Sequence, residues 1–495
     1  MPLSVSTNCP SCGGSIEFEE GSNAVHCRYC GSNHVVTGRG RVLSYYVPEK
    51  ISMRMAAALA LQKLKEADGP GWKAREVTLF FVPFYRFVGQ ALQWEVEDKV
   101  IAGGDEREAP KGILNVHINV RFGGMGGPDM RDILSGGSEA ARLTERRFEL
   151  SGQYIDRSMP ALDAPELGVS SLGLRPEILK LSLFERGAVA ARGQIAPVEI
   201  SVKDKEEQGY RHSGDGEIAS RGVFGKTASV IYNPFWVIEV TRGDETAFSV
   251  VDGVSGEVTS RKATAKLLDA LVDKDGQRFD VAGFRPLKCP NCAGELPVKP
   301  KDVVFFCNSC RKAWYISGDE LVDTPYTVVA SAKKGAGTPE YFPFWVVRAR
   351  MRSGDNVIDT KYDIGKMAPG LMWPKDTDKE IPFRFFVPAF RVGSLKVVSR
   401  LASGFTKNQP VLKADQPLSF AVRGCYLSPE DALIMAPLIL FSLVPKGNTH
   451  ALKFAADSKV EVMGGELVLL PFYKAGYDFT DGLYGWSFPV ASLRD

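Results

Sequence analysis

The chain has 495 residues, 44% of them hydrophobic, enough for several buried cores and, at about 150 residues per domain, for roughly three or four globular units. Lysine plus arginine (61) nearly balance aspartate plus glutamate (59); a formal charge of +2 excludes a general attraction to nucleic acid or acidic membranes, though not a local basic patch. Frequent glycine (49) and proline (30) among many Val, Phe and Tyr favour β-rich units over long helical bundles, so the expected class is mainly β with some helices (α+β).

In chain order, the N-terminal Met-Pro-Leu-Ser-Val-Ser-Thr has no basic region and no apolar core. No secretory signal is read there, and a cytoplasmic location is expected. Residues 1–40 hold Cys9-Pro-Ser-Cys12 and Cys27-Arg-Tyr-Cys30. Between them Ser15-Ile16-Glu17-Phe18 alternates, Glu20-Gly21-Ser22-Asn23 turns and Ala24-Val25-His26 returns, which predicts a hairpin joining the two pairs. Gly13 and Gly31 suit a tight knuckle with positive φ. Residues 41–272 read as β-rich. A short strand is expected at Tyr45–Pro48 and a helix at Ile51–Ala67, ended by Asp68-Gly69-Pro70. Strands follow from Val77 to about Val258, including the alternation at Leu179, Leu181 and Leu183 and a hairpin turning at Ser255-Gly256. A helix at Ala263–Val272 leads into a linker, 273–286.

The second cysteine unit, 287–318, holds Cys289-Pro-Asn-Cys292 and Cys307-Asn-Ser-Cys310. Each cysteine lies 280 residues after its first-half counterpart. Ala293 and Arg311 replace the knuckle glycines, so less regular knuckles are expected. Residues 319–495 read as a further β-rich unit with a helix near 429–444, capped by Ser428 with Pro429 at its first position. Its apolar run, Ala432 to Val444, is too short to span a bilayer, so no transmembrane segment is expected.

Eight of the nine cysteines thus form two sets of four. A Cys-x-x-Cys turn can aim two thiolates at one ion, and two such turns complete a tetrahedral S4 shell. The metal ligands read from this are Cys9, Cys12, Cys27 and Cys30, and Cys289, Cys292, Cys307 and Cys310. Both segments resemble zinc ribbons, the rubredoxin-like knuckle family, over about residues 7–38 and 287–318. The resemblance implies two Zn2+ per chain in closed, structural sites. Rubredoxins usually carry a longer insert between knuckles, which favours zinc over iron here.

Pro-aromatic segments recur. Phe80-Phe81-Val82-Pro83-Phe84 resembles Phe385-Phe386-Val387-Pro388; Asn233-Pro234-Phe235-Trp236 resembles Phe342-Pro343-Phe344-Trp345; Leu470-Pro471-Phe472 repeats the theme. Each reads as a strand beginning at proline, with its aromatics packed in a core, and together they hint at gene duplication. Gly222-Val-Phe-Gly225-Lys226-Thr227 has the wrong spacing for a phosphate loop, and the glycine-dense stretch 103–137 reads as a surface loop. The charges of Lys203–Glu207 read as loop charges, His26 and His34 as residues beside a metal shell or on the surface, and Cys425 as a buried thiol.

No catalytic constellation is visible. The expectation is a zinc-binding, non-enzymatic adaptor or scaffold with a protein partner. The alternative is nucleic-acid binding through the second unit, where Lys299, Lys301, Arg311 and Lys312 could meet phosphates and Trp314 could stack on bases. Iron-thiolate electron transfer is the third reading.

Overall fold

The computed structural model describes residues 3–38, 42–101, 143–173, 179–211, 217–272, 283–367, 371–416, 421–445 and 448–493. The glycine-dense stretch and most of the linker lie outside them. The described chain is mainly β. No described helix is long and apolar enough to cross a membrane.

Period-two alternation builds two large sheets. In the first, Lys73–Ile101 and Glu217–Arg242 run antiparallel along most of their length, with Leu143–Pro160 on the outer side of Lys73–Ile101. Even-numbered Phe80, Val82 and Phe84 face the first cysteine unit beside Leu181 and Ile231. Odd-numbered Leu79, Phe81, Tyr85 and Phe87 face the other way, onto Ala56, Ala60 and Leu64. Each such fully buried side chain contributes about 1.5–3 kcal/mol of transfer free energy. The helix carrying those alanines is Met53–Asp68. Ser52 caps it by accepting from Met55 N–H, and Gly69, at φ +86°, ends it.

The second sheet repeats the pairings of the first. A short strand after each cysteine unit (Leu43–Tyr46; Tyr326–Val328) lies parallel to a long strand (Glu217–Arg242; Lys459–Ala475). That long strand is antiparallel to another (Lys73–Ile101; Glu340–Ser353) and also pairs with a hairpin (Glu245–Asp252 with Val258–Ala263; Asp478–Asp481 with Ser487–Pro489). The pairing corrects how the aromatic echoes align. Pro83 corresponds to Pro343, Pro234 to Pro471 and Pro160 to Pro388.

The prolines also do not start their strands. Pro83, Pro234, Pro343 and Pro471 lie inside them. Each sits where an outer neighbour strand leaves the sheet. Its carbonyl accepts from the residue just past that neighbour: Ala161 N–H at 3.0 Å, Gly253 at 2.8 Å, Ala389 at 2.9 Å and Gly482 at 2.8 Å, respectively. In an antiparallel strand a residue's N–H and C=O point to the same side, so the missing N–H faces a position with no ladder partner.

Other elements stand close to expectation. Helices form at Ala265–Leu271 and Pro429–Ser442, the latter capped by Ser428 accepting from Asp431 N–H. Lys203–Glu207 is not a loop; it lies in the helix Val202–Gly209, capped by Ser201. Gly222 to Thr227 lies within a strand, with a bulge between Phe224 and Thr227.

Candidate metal centres

The hairpin expected between the cysteine pairs of each set is absent. Each pair instead sits at the turn of its own hairpin. Ser4–Asn8 pairs with Ser15–Glu19 around Cys9–Cys12, and Ala24–His26 pairs with Asn33–Thr37 around Cys27–Cys30. In the second half Val304–Phe306 pairs with Ala313–Ser317 around Cys307–Cys310, and a single Lys288–Glu295 bridge closes the turn at Cys289–Cys292. Three knuckles thus inherit their direction from a ladder on both sides, and the fourth from that one bridge.

All four knuckles share one geometry. The N–H of the residue after the second cysteine donates to the carbonyl of the first: Gly13 to Cys9, Gly31 to Cys27 and Ala293 to Cys289 at 2.8 Å, Arg311 to Cys307 at 2.9 Å. The first cysteine's own N–H donates back across the turn to Gly14, Ser32, Gly294 or Lys312. The second unit's knuckles are therefore as regular as the first's, against the expectation from their missing glycines. Ala293 and Arg311 take φ +58°, beside +74° and +73° at Gly13 and Gly31.

The thiols converge. Within each set the four Sγ atoms lie within 4.8 Å of one another. Cys9–Cys30 and Cys12–Cys27 are 3.8 Å apart, Cys289–Cys310 and Cys292–Cys307 3.5 Å. A tetrahedral ion with metal–sulfur bonds of ~2.3 Å needs sulfur–sulfur edges of ~3.8 Å, so both sets fit a closed S4 shell. In each set the first cysteine of each pair is buried (Cys9, Cys27, Cys289, Cys307), while Cys12, Cys30 and Cys292 are exposed and Cys310 is half-buried.

Ion-free, the thiols titrate unequally. The Ser32 hydroxyl, with the Ser32 N–H, brings Cys30 down to about 6. Burial raises Cys289, but the N–H groups of Cys292 and Asn291 and nearby thiols outweigh it, leaving it at about 6. Cys12 and Cys292 go up to about 12: the Gly14 and Gly294 N–H groups pull them down, yet neighbouring thiols and partial burial prevail. A metal must displace protons from such a cluster, so its affinity falls as pH falls.

Two ring N–H groups complete the environment. His34, fully buried, has Nε2 2.8 Å from Ser32 Oγ and 3.6 Å from Cys9 Sγ; Ser32 Oγ is 2.9 Å from Cys30 Sγ. Burial lowers the imidazole's pKa against the pull of Glu295. Its Nδ1 has no hydrogen-bond partner. An Nδ1–H would be an orphaned buried donor, which places the proton on Nε2. In the second set Trp314 Nε1–H donates to Cys289 Sγ at 3.2 Å. Position 314 is 280 residues after position 34, so the cysteine register was the sequence signal for this match. His26, by contrast, is exposed and bonds Asn33 at 2.7 Å.

The residues read as nucleic-acid contacts are not together on a free face. Trp314 is 7% exposed and packs in a core with Leu287, Phe305 and Ile316, so it offers no stacking surface. Lys301 Nζ donates to Glu20 carbonyl at 2.7 Å, Lys299 Nζ reaches the Val422 carbonyl at 3.5 Å, and Lys312 pairs with Asp323 at 2.8 Å. Arg311 and Lys312 border an open depression with Tyr326 and Asp415.

The two cysteine units meet directly. Gly283–Pro286 pairs with Asn33–Thr37, and Asn23 Nδ2 donates to the Asp302 carbonyl at 2.8 Å. Ala24 and Val35 of the first unit share a core with Cys289, Phe305 and Trp314 of the second. Beneath them the Arg86 guanidinium, 1% exposed, is held by Glu20 and, at 2.7 Å, by Asp156; Ser229 also bonds Glu20. Cys425 is fully buried, and its carbonyl accepts from Val303 N–H at 2.8 Å. No protein-family model matches the chain, and no curated protein or solved structure is significantly similar to it.

Proposed function

We propose that this chain is a zinc-stapled scaffold made of two copies of one unit, a cysteine ribbon followed by a β domain, and that it acts through a protein partner rather than by catalysis. The observation that carries the reading is the shared core of the two cysteine units, each also packed on its own large sheet. Four thiolates per ion leave no coordination position for a substrate. The turns Glu20–Asn23 and Lys299–Asp302, which join the knuckles of each set, are used internally, so a partner would meet the exposed knuckles rather than these turns.

Metal analysis of the purified chain tests the centre: two zinc ions per chain and a colourless solution are expected, and a coloured iron-thiolate protein would replace this reading with electron transfer. Pull-down from native cytosol tests the scaffold: the chain is expected in a stoichiometric complex, and recovery as a lone monomer counts against it. Binding of single-stranded DNA or RNA that weakens with salt, and is lost in Lys299→Glu/Lys301→Glu, would favour the nucleic-acid alternative. The internal contacts of those lysines weigh against it.

A further inference from the structure

We propose that His34 and Ser32 form a donor relay that positions and partly neutralises the first-set thiolates, standing where Trp314 stands in the second set, so that the two centres hold their ions through different outer partners. The proposal rests on the two S4 sets binding metal. It starts from the shared register. Position 34 and position 314 are equivalent, and each presents a ring N–H to the first cysteine of its set.

The partners then diverge. Trp314 has one ring donor and spends it on Cys289. His34 Nε2–H lies closer to Ser32 Oγ than to Cys9 Sγ, 2.8 Å against 3.6 Å. A hydroxyl that accepts from imidazole is left with its own hydrogen to donate, and Cys30 Sγ is 2.9 Å away. One chain of donors therefore runs His34 to Ser32 to Cys30, with Cys9 beside it. Position 312, the counterpart of Ser32, is Lys312; its ammonium turns to Asp323, not to a thiol. The second set thus lacks the hydroxyl link.

A four-thiolate shell around a divalent ion carries a net charge of −2. Donors to sulfur spread that charge and fix the rotamer of the thiolate, which is why partners of metal ligands are worth tenfold to hundredfold in affinity. The imidazole is itself locked: Phe284, from the strand leading into the second unit, meets it edge-on with ring centroids 6.4 Å apart.

The test uses the full chain with zinc under chelator competition and with cobalt for its sulfur-to-metal charge-transfer bands. His34→Phe is expected to weaken one of two zinc sites about tenfold to hundredfold and to shift the cobalt band of that site, with a smaller effect on the other. His34→Gln, which keeps an N–H donor, should recover most of the loss. Ser32→Ala should weaken the same site less, and Trp314→Phe should act mainly on the other. Wild-type affinity and bands in both His34→Phe and Ser32→Ala overturn the relay. If His34→Phe fails to fold, Ser32→Ala, at a half-exposed position, decides alone: an unchanged spectrum overturns the proposal. Wild-type protein binding fewer than two ions per chain instead overturns the metal reading beneath it.

Discussion

Ala293 and Arg311 occupy backbone conformations that cost a side-chain-bearing residue roughly 1–2 kcal/mol each, because Cβ crowds the following carbonyl. The knuckle bonds hold them there, with a ladder on either side of Arg311 and a single bridge across the turn of Ala293. Ala293→Gly is therefore expected to raise the stability of the zinc-loaded chain by up to about 1 kcal/mol, after the entropy that glycine adds to the unfolded state. Gly13→Ala should cost about the same, with nothing within 4 Å of the new Cβ to blame. Denaturant unfolding of both variants in excess zinc checks the pair; equal stability of all three proteins would remove the strain argument. At this scale the sequence was easy to read for ligands and hard to read for their surroundings. Chelation demands fixed spacing, so the eight cysteines stood out. A missing glycine looked like irregular geometry, whereas the hydrogen-bonded knuckle imposes a positive φ on whatever residue occupies it. Trp314 looked like a stacking surface because its partner, Cys289, is set by folding and not by proximity in sequence.

Elements meet at two polar joints that no short-range pattern encodes. Glu20, in the first unit's turn, reaches a fully buried Arg86 on the long strand, which Asp156 also holds. Removing the cation leaves two carboxylates facing a low-dielectric joint, so Arg86→Ala should destabilise the chain by about 3–5 kcal/mol, and Arg86→Met/Glu20→Gln by less than Arg86→Ala alone. Paired thermal melts measure this; a milder Arg86→Ala would mean the joint is wet. The second joint holds Asp302, whose carboxyl is pushed up to about 7 by burial, against the pull of Lys299, the Cys425 N–H and Arg423. Its folded pKa lies above the unfolded value of about 3.9, so its stabilising contribution is full below that value and lost as pH rises through about 7. Asp302→Asn should thus gain on wild type in stability from pH 6 to 8.5 in excess zinc, and a constant difference would refute the shift. The long strands themselves were legible from alternation. Their interior prolines were misread as strand starts, since what permits them is a neighbour that ends, and that neighbour is up to about 80 residues away in sequence.

Across the whole molecule, strand order repeats, but the offset between matching positions drifts: 280 residues for cysteines, 260 from Pro83 to Pro343, 237 from Pro234 to Pro471. Segments of unequal length between equivalent pairings hide such a pattern from a linear search while leaving its topology intact. The two cysteine units stay in one register, with fourteen residues between the pairs of each set. Their contact has an energetic consequence. Cys289 and Cys307 belong to the same core as Ala24 and Val35, and Val35 lies in the strand that follows the Cys27–Cys30 knuckle. Ordering either S4 shell therefore orders part of the other's support. Binding of the two ions should be positively coupled, and linkage makes the coupling reciprocal. Cys12→Ser and Cys292→Ser remove one exposed thiol each and spare the buried packing. Each is expected to abolish tight binding at its own set and to weaken zinc at the other by about fivefold or more, by the same factor in both directions. Chelator competition on the two variants reads both factors, and amide exchange at Asn23 and Leu287, which bond across the seam, should speed up in each. Equal zinc affinity of the remaining site in variant and wild type would show that the two staples act separately, each holding only the sheet beside it.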